Sequence, residues 1–108
     1  MEVIDCNNYF GWFVGKFNPA LINSKELEFG YKRISKNTKP DYHYHKFKTE
    51  YTILIEGEIF CELTSKIVKP ISCIKMNPNE KNDQFYTKDS LILIINSPSV
   101  MNDKFIDS

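Results

Sequence analysis

Histidine is scarce in this chain. It occurs twice, as His43 and His45, so a Ser-His-Asp arrangement finds no third histidine to draw on once both imidazoles serve one stretch. Glycine is sparse as well, with four residues in 108, and no glycine-rich phosphate cradle is formed. The cysteines, Cys6, Cys61 and Cys73, are odd in number and lack a C-x-x-C pair. They suggest neither a disulfide framework nor a zinc knuckle. They are expected as reduced thiols of a cytoplasmic protein, two of them buried in strands. No charge is in excess, since 14 basic residues face 14 acidic ones. No basic excess is therefore available to neutralise a phosphate backbone, and no nucleic-acid partner is expected. The longest apolar runs, residues 51–55 and 91–95, are far too short to span a bilayer. The start, Met1-Glu2-Val3-Ile4-Asp5, has neither the basic opening nor the apolar run of a signal peptide.

What is present suits one globular domain spanning residues 1–108. Hydrophobic residues make up 42% and charged residues 26%, ordinary shares for a packed core. Aromatic residues, at 14%, are spread along the chain as strands prefer. No segment keeps a helical period long enough for a helix. Residues 9–17 read as a strand or strand pair with bulges or close backbone approaches at Gly11 and Gly15. Residues 20–25 read as a connector of about one helical turn, and residues 27–34 as the next strand. Strands at 49–56 and 58–63 are expected to meet in a hairpin at Glu56-Gly57-Glu58. Further strands are expected at 72–76 and 90–96, with a polar loop at 77–84 and a C-terminal arm. Short strands punctuated by turn residues mean an all-β sandwich or barrel.

The stretch that carries chemistry is Tyr42-His43-Tyr44-His45-Lys46-Phe47-Lys48-Thr49-Glu50, running on to Gly57. A strand sends alternate side chains to one face, so His43 and His45 point together and Tyr44 points away. Two imidazoles and a carboxylate are the donor set of a 2-His-1-carboxylate metal face with open positions. Parity alone does not place Glu50, because a turn can intervene. The lysines Lys32, Lys46 and Lys48 alternate with apolar residues and read as solvated faces. Tyr51-Ile53-Ile55 and Thr52-Leu54 leave both faces of one strand largely apolar, so each face needs cover.

The spacing H-x-H-x4-E-x6-G resembles the first signature motif of the cupins, with Asn37 where a glycine usually opens it. Asn shares that tolerance of left-handed backbone. The second cupin motif, Pro-x-Gly-x-x-His, is matched only loosely by Pro78-Asn79-Glu80-Lys81-Asn82-Asp83. Trp12-Phe13-Val14-Gly15, Pro98-Ser99 and Asp103-Lys104 extend the resemblance to small single-domain cupins over nearly the whole chain. It implies a jelly-roll β-sandwich or barrel, a homodimer, and one divalent metal ion (Fe, Mn, Ni or Zn). The implied ligands are His43, His45, Glu50 and, in place of the usual fourth histidine, Asp83. Asn82 or Gln84 could serve instead if the loop shifts, and Asp83 could equally be a solvated loop carboxylate.

The expected partner is a small polar molecule, such as a sugar, sugar nucleotide or carboxylic acid, bound or transformed at the metal. A tyrosine such as Tyr44 or a nearby carboxylate could handle protons. The alternatives are a non-catalytic ligand-binding or regulatory module and a metal-free isomerase acting on sugar nucleotides. Fold alone does not choose between them.

Overall fold

The computed structural model describes residues 1–106. After a single 3-10 turn (Cys6–Tyr9), the chain forms eleven strands: β1 Trp12–Gly15, β2 Ile22–Asn23, β3 Glu28–Ile34, β4 His43–Tyr44, β5 Thr49–Glu56, β6 Ile59–Cys61, β7 Lys66–Val68, β8 Ser72–Met76, β9 Gln84–Tyr86, β10 Ser90–Ser97 and β11 Phe105–Ile106. The all-β class expected from the sequence is what forms. No helix among the described residues is long and apolar enough to cross a membrane.

One layer is a six-stranded sheet in the order β2-β1-β3-β10-β5-β8, and the other strands form β7-β6-β9 and β11-β4 sheets. Backbone hydrogen bonds stitch the two smaller sheets together. Asn82 N–H donates to His43 C=O, Tyr42 N–H to Asn82 C=O, and Tyr86 N–H to Thr38 C=O. The result is a second layer opposite the first. Leu54, Ile92 and Ile94 from the large sheet pack against Ile59, Cys61 and Tyr86 from the other. Two sheets that each bury one apolar face make a stable sandwich.

The centre of the large sheet follows the period-2 rule. In β10, Ser90, Ile92, Ile94 and Asn96 are buried while the residues between them are half-exposed. In β5, Thr52 and Leu54 face the interior. Glu50 shares their parity and lies across the ladder from Met76 and Asn96. The opposite face of β5 carries Tyr51, Ile53 and Ile55, all half-buried. Leu93 lies between Ile53 and Tyr31, and Ile95 between Tyr51 and Phe29, in the strand register.

Several local expectations are corrected. Residues 56–58 are not a hairpin: β5 pairs with β10 and β8, whereas β6 pairs with β7 and β9. The chain crosses from one layer to the other there. Gly57 has φ +103°, and a Cβ on it would lie 2.1 Å from Ser90 Oγ and 2.7 Å from Asp89 O. The corner therefore needs both glycine's backbone freedom and its missing side chain. The hairpin in this region joins β6 to β7, with Ser65 in the left-handed region at φ 54°. Residues 22–23 form no helical turn but a short strand parallel to β1. Cys61 is buried in β6, but Cys73 lies exposed on edge strand β8, so one strand cysteine is buried and not two. Close backbone approach at Gly11 is present, where Tyr31 N–H donates to Gly11 C=O at 2.8 Å. Asn37 adopts φ 70°.

Gly57→Ala should cost about 2 kcal/mol through strain and the clash at the corner. Urea unfolding checks this, and an unchanged midpoint would show that the corner relaxes freely.

Candidate metal centre

The two histidines lie on and just beyond β4, and alternation works as the sequence predicts. Their rings sit 5.1 Å apart, edge to face, while Tyr44 turns away and stacks on Phe105 at 5.6 Å. Both histidines are buried. Residues 46–48 then turn the chain into β5, and the second residue of that strand is Glu50. His43 Nε2 lies 3.2 Å and His45 Nε2 3.3 Å from the same oxygen, Glu50 Oε2. One ligand atom from each residue falls within 4.8 Å of the others.

The far side of each ring fixes what these nitrogens can be. His43 Nδ1 is 2.7 Å from Asp41 Oδ1, and His45 Nδ1 contacts the Asp103 backbone carbonyl. Both are acceptors, so each Nδ1 carries the proton. In the neutral rings both Nε2 lone pairs then aim at a carboxylate oxygen, and this contact needs a cation between them, either a proton or a metal ion. Without a metal the balance falls to protons. Burial works against a charged His43, but hydrogen bonds to Glu50 and Asp41 outweigh it and raise its pKa above the ordinary value. Burial likewise pushes Glu50 up, yet hydrogen bonds from His43 and His45 take it down to about 2. Neutral imidazoles held by acceptors behind them, converging with an ionised carboxylate, fit a divalent metal. The donor set suits Fe, Mn, Ni or Zn.

Asp83 is not part of this group. Alternation along residues 82–86 puts Gln84 and Tyr86 on the interior face and leaves Asp83 on the other. Its carboxylate accepts from Leu63 N–H at 2.9 Å and lines a separate cavity beside Cys61. Asn82 comes closer, with Nδ2 3.4 Å from His43 Nδ1, but its carbonyl oxygen accepts from Gln84 N–H. Gln84 is buried, and its carbonyl oxygen accepts from the Tyr86 hydroxyl. Three side chains thus converge, and no further His, Cys, Asp or Glu among the described residues joins the group. A cavity of about 620 Å³ opens onto them, lined by His43, His45, Glu50, Lys48, Trp12 and Asn96 among others.

The sequence matches no protein-family model and no curated protein. Solved structures match well. A conserved protein with a double-stranded β-helix domain from Klebsiella pneumoniae superposes with a TM-score of 0.69, over 100% of this chain and 98% of that one, at 9% identity. An RmlC-like cupin protein from Desulfovibrio desulfuricans gives 0.59 over 71% and 76%, at 11% identity. The protein has the cupin fold. The DMSP lyase DddQ from Ruegeria pomeroyi gives 0.67 over 95% of this chain and 55% of its own, at 12% identity.

Sequence reasoning missed the groups that support His43, His45 and Glu50 in this cupin fold. Asp41 backs His43, and it also accepts from His43 N–H. Asp103, only 2% exposed, spends one oxygen on Lys46 N–H and the other on Phe47 and Lys48 N–H. Those three bonds hold its carboxyl below the usual range despite burial. They shape the turn that separates His45 from Glu50. No local signal links residue 103 to residue 46. Lys48, taken from its alternation as solvated, is buried and paired with Glu28 at 2.8 Å.

Asp103→Ala leaves three amides of this turn without their acceptor. It should cost at least about 2 kcal/mol and also weaken metal retention, read by thermal unfolding and by metal titration. Full metal affinity in a destabilised variant would show that the turn does not set the ligand spacing.

Proposed function

We propose that this chain is a small metal-binding cupin that holds one divalent ion on His43, His45 and Glu50 and binds or transforms a small polar molecule beside it. The observation that carries the reading is the convergence of two Nε2 atoms on one Glu50 oxygen, each ring braced from behind by an acceptor. The cavity in front of this face is large enough for a sugar-sized or carboxylic-acid ligand. A bound metal would polarise a ligand carbonyl or hydroxyl, or lower the pKa of a bound water. The chain's own part is to orient the ligands, with Asp41 and the Asp103 carbonyl fixing the tautomers, and to surround the reacting end with Trp12 and the buried polar wall. Tyr44 has no part in this reading, because its ring is stacked on Phe105 away from the cavity.

Elemental analysis of untagged protein purified without chelator should find about one Fe, Mn, Ni or Zn per chain. His43→Ala and His45→Ala should abolish retention, whereas Asp83→Ala should leave it unchanged. Wild-type protein that takes up no metal even on soaking would overturn the site.

The same reading includes a cytoplasmic homodimer. Tyr51, Ile53, Leu93, Ile95, Phe29 and Tyr31 make a contiguous half-exposed apolar band on the outer face of the large sheet. A patch of that kind marks an association surface, and a second copy of the chain supplies matching cover by two-fold symmetry. Leu93→Glu should convert the dimer to a folded monomer in light scattering, and a monomeric wild type would refute the assembly.

A further inference from the structure

The cavity before the metal face has a second polar pole that its construction does not require. Glu28, Lys48, Asn96 and Ser99 are 7%, 8%, 4% and 7% exposed. The first three line the cavity. Glu28 is saturated. One oxygen accepts from Lys48 Nζ at 2.8 Å and Asn96 Nδ2 at 2.9 Å, and the other from Ser99 Oγ at 3.1 Å. Ser99 Oγ in turn accepts from Lys16 N–H. Lys48 is different. Its ammonium has three donors, and Glu28 is its only side-chain partner among the described residues.

Burying a charged pair is costly, and apolar residues of similar volume serve a core at least as well. A buried lysine with unspent donors on the wall of a cavity is placed to receive an anionic ligand. The charges point the same way. The lining holds Lys32, Lys48 and Lys104 against Glu28, Glu50 and Asp103, with Lys104 already paired to Asp41 at 3.7 Å, and a divalent ion adds two positive charges. Each of the three carboxylates is already occupied: Glu28 as above, Glu50 by the histidines, and Asp103 by three backbone N–H groups. The loaded cavity thus offers positive charge and free donors, and no free carboxylate to repel an anion. Trp12, Phe17 and Met101 supply apolar wall for a short carbon body.

We propose that Lys48 Nζ anchors the carboxylate of a small organic acid whose other polar end lies at the His43–His45–Glu50 face. This rests on the metal-site reading and narrows its ligand to carboxylates. Glu28 keeps Lys48 charged and aimed, and so acts as a positioning residue.

The test uses full-length protein with stoichiometric metal verified first, and matched probes: glycerate, malate and gluconate, each against its amide, by isothermal titration calorimetry. Carboxylates should bind at least tenfold more tightly than their amides, and Lys48→Met should erase most of that ratio while metal stoichiometry stays at one. Glu28 keeps its bonds from Asn96 and Ser99 in that variant but is left buried without a counter-charge, so Lys48→Met/Glu28→Gln, which removes both charges, provides the folded control and should behave alike. A carboxylate preference that survives in both variants would assign the selectivity to the metal alone and overturn the proposal. Equal binding of acids and amides by the wild type would overturn it as well. Failure to load metal would instead strike at the underlying site.

Discussion

The site depends on one electrostatic constraint: two imidazole nitrogens and a carboxylate oxygen meet in a buried place where the lone pairs repel unless a cation joins them. The distances of 3.2 and 3.3 Å from the two Nε2 atoms to a single Glu50 oxygen state that constraint directly. Acceptors behind the rings remove the easy escape, since a neutral imidazole with its proton on Nδ1 has only a lone pair to offer in front. The surrounding architecture serves to hold the three groups together in spite of this. β4 and β5 do not pair with each other, so the three groups come from two layers of the sandwich.

The bracing comes from the far end of the chain. β11 pairs with β4, setting Ile106 beside His43 and Phe105 beside Tyr44. Just before it, Asp103 binds the turn at 46–48 through its carboxylate and His45 through its carbonyl. A single residue therefore fixes both the shape of the turn and the orientation of His45. Rigid support of this kind is what a metal site needs if its ligand spacing is not to drift. The Gly57 corner does comparable work at the other end of β5, allowing the chain to leave one layer for the other directly after the strand that carries Glu50.

The Lys48–Glu28 pair is a departure from the economy of the rest of the core. The centre of the core cluster is apolar, with Leu54 and Ile59 fully buried. Near the cavity it becomes a hydrogen-bonded polar wall, and Asn96 Oδ1 there is buried with no partner among the described residues. Local rules are most often broken where a fold meets its ligand.

The sequence by itself determined the class of the fold and the pairing of the histidines. Alternation along a strand is a local property, so His43 and His45 on one face and Tyr44 on the other could be read directly. The same alternation predicted that Thr52 and Leu54 would oppose Tyr51, Ile53 and Ile55. Spacing linked Glu50 to the histidines only through resemblance, because the turn at 46–48 interrupts the parity. The structure keeps Asp83 apart from the histidines for a related reason: one residue along a strand reverses the face, and the loop's register is set by backbone bonds from Asn82 and Asn79 to the histidine strand. Tertiary structure alone decided the rest. It brought Asp103 to the turn 57 residues earlier in the chain, buried Lys48 against Glu28, and made a layer crossing of the glycine that read as a hairpin. Each of these depends on contacts between segments far apart in sequence, for which composition and local period carry no signal.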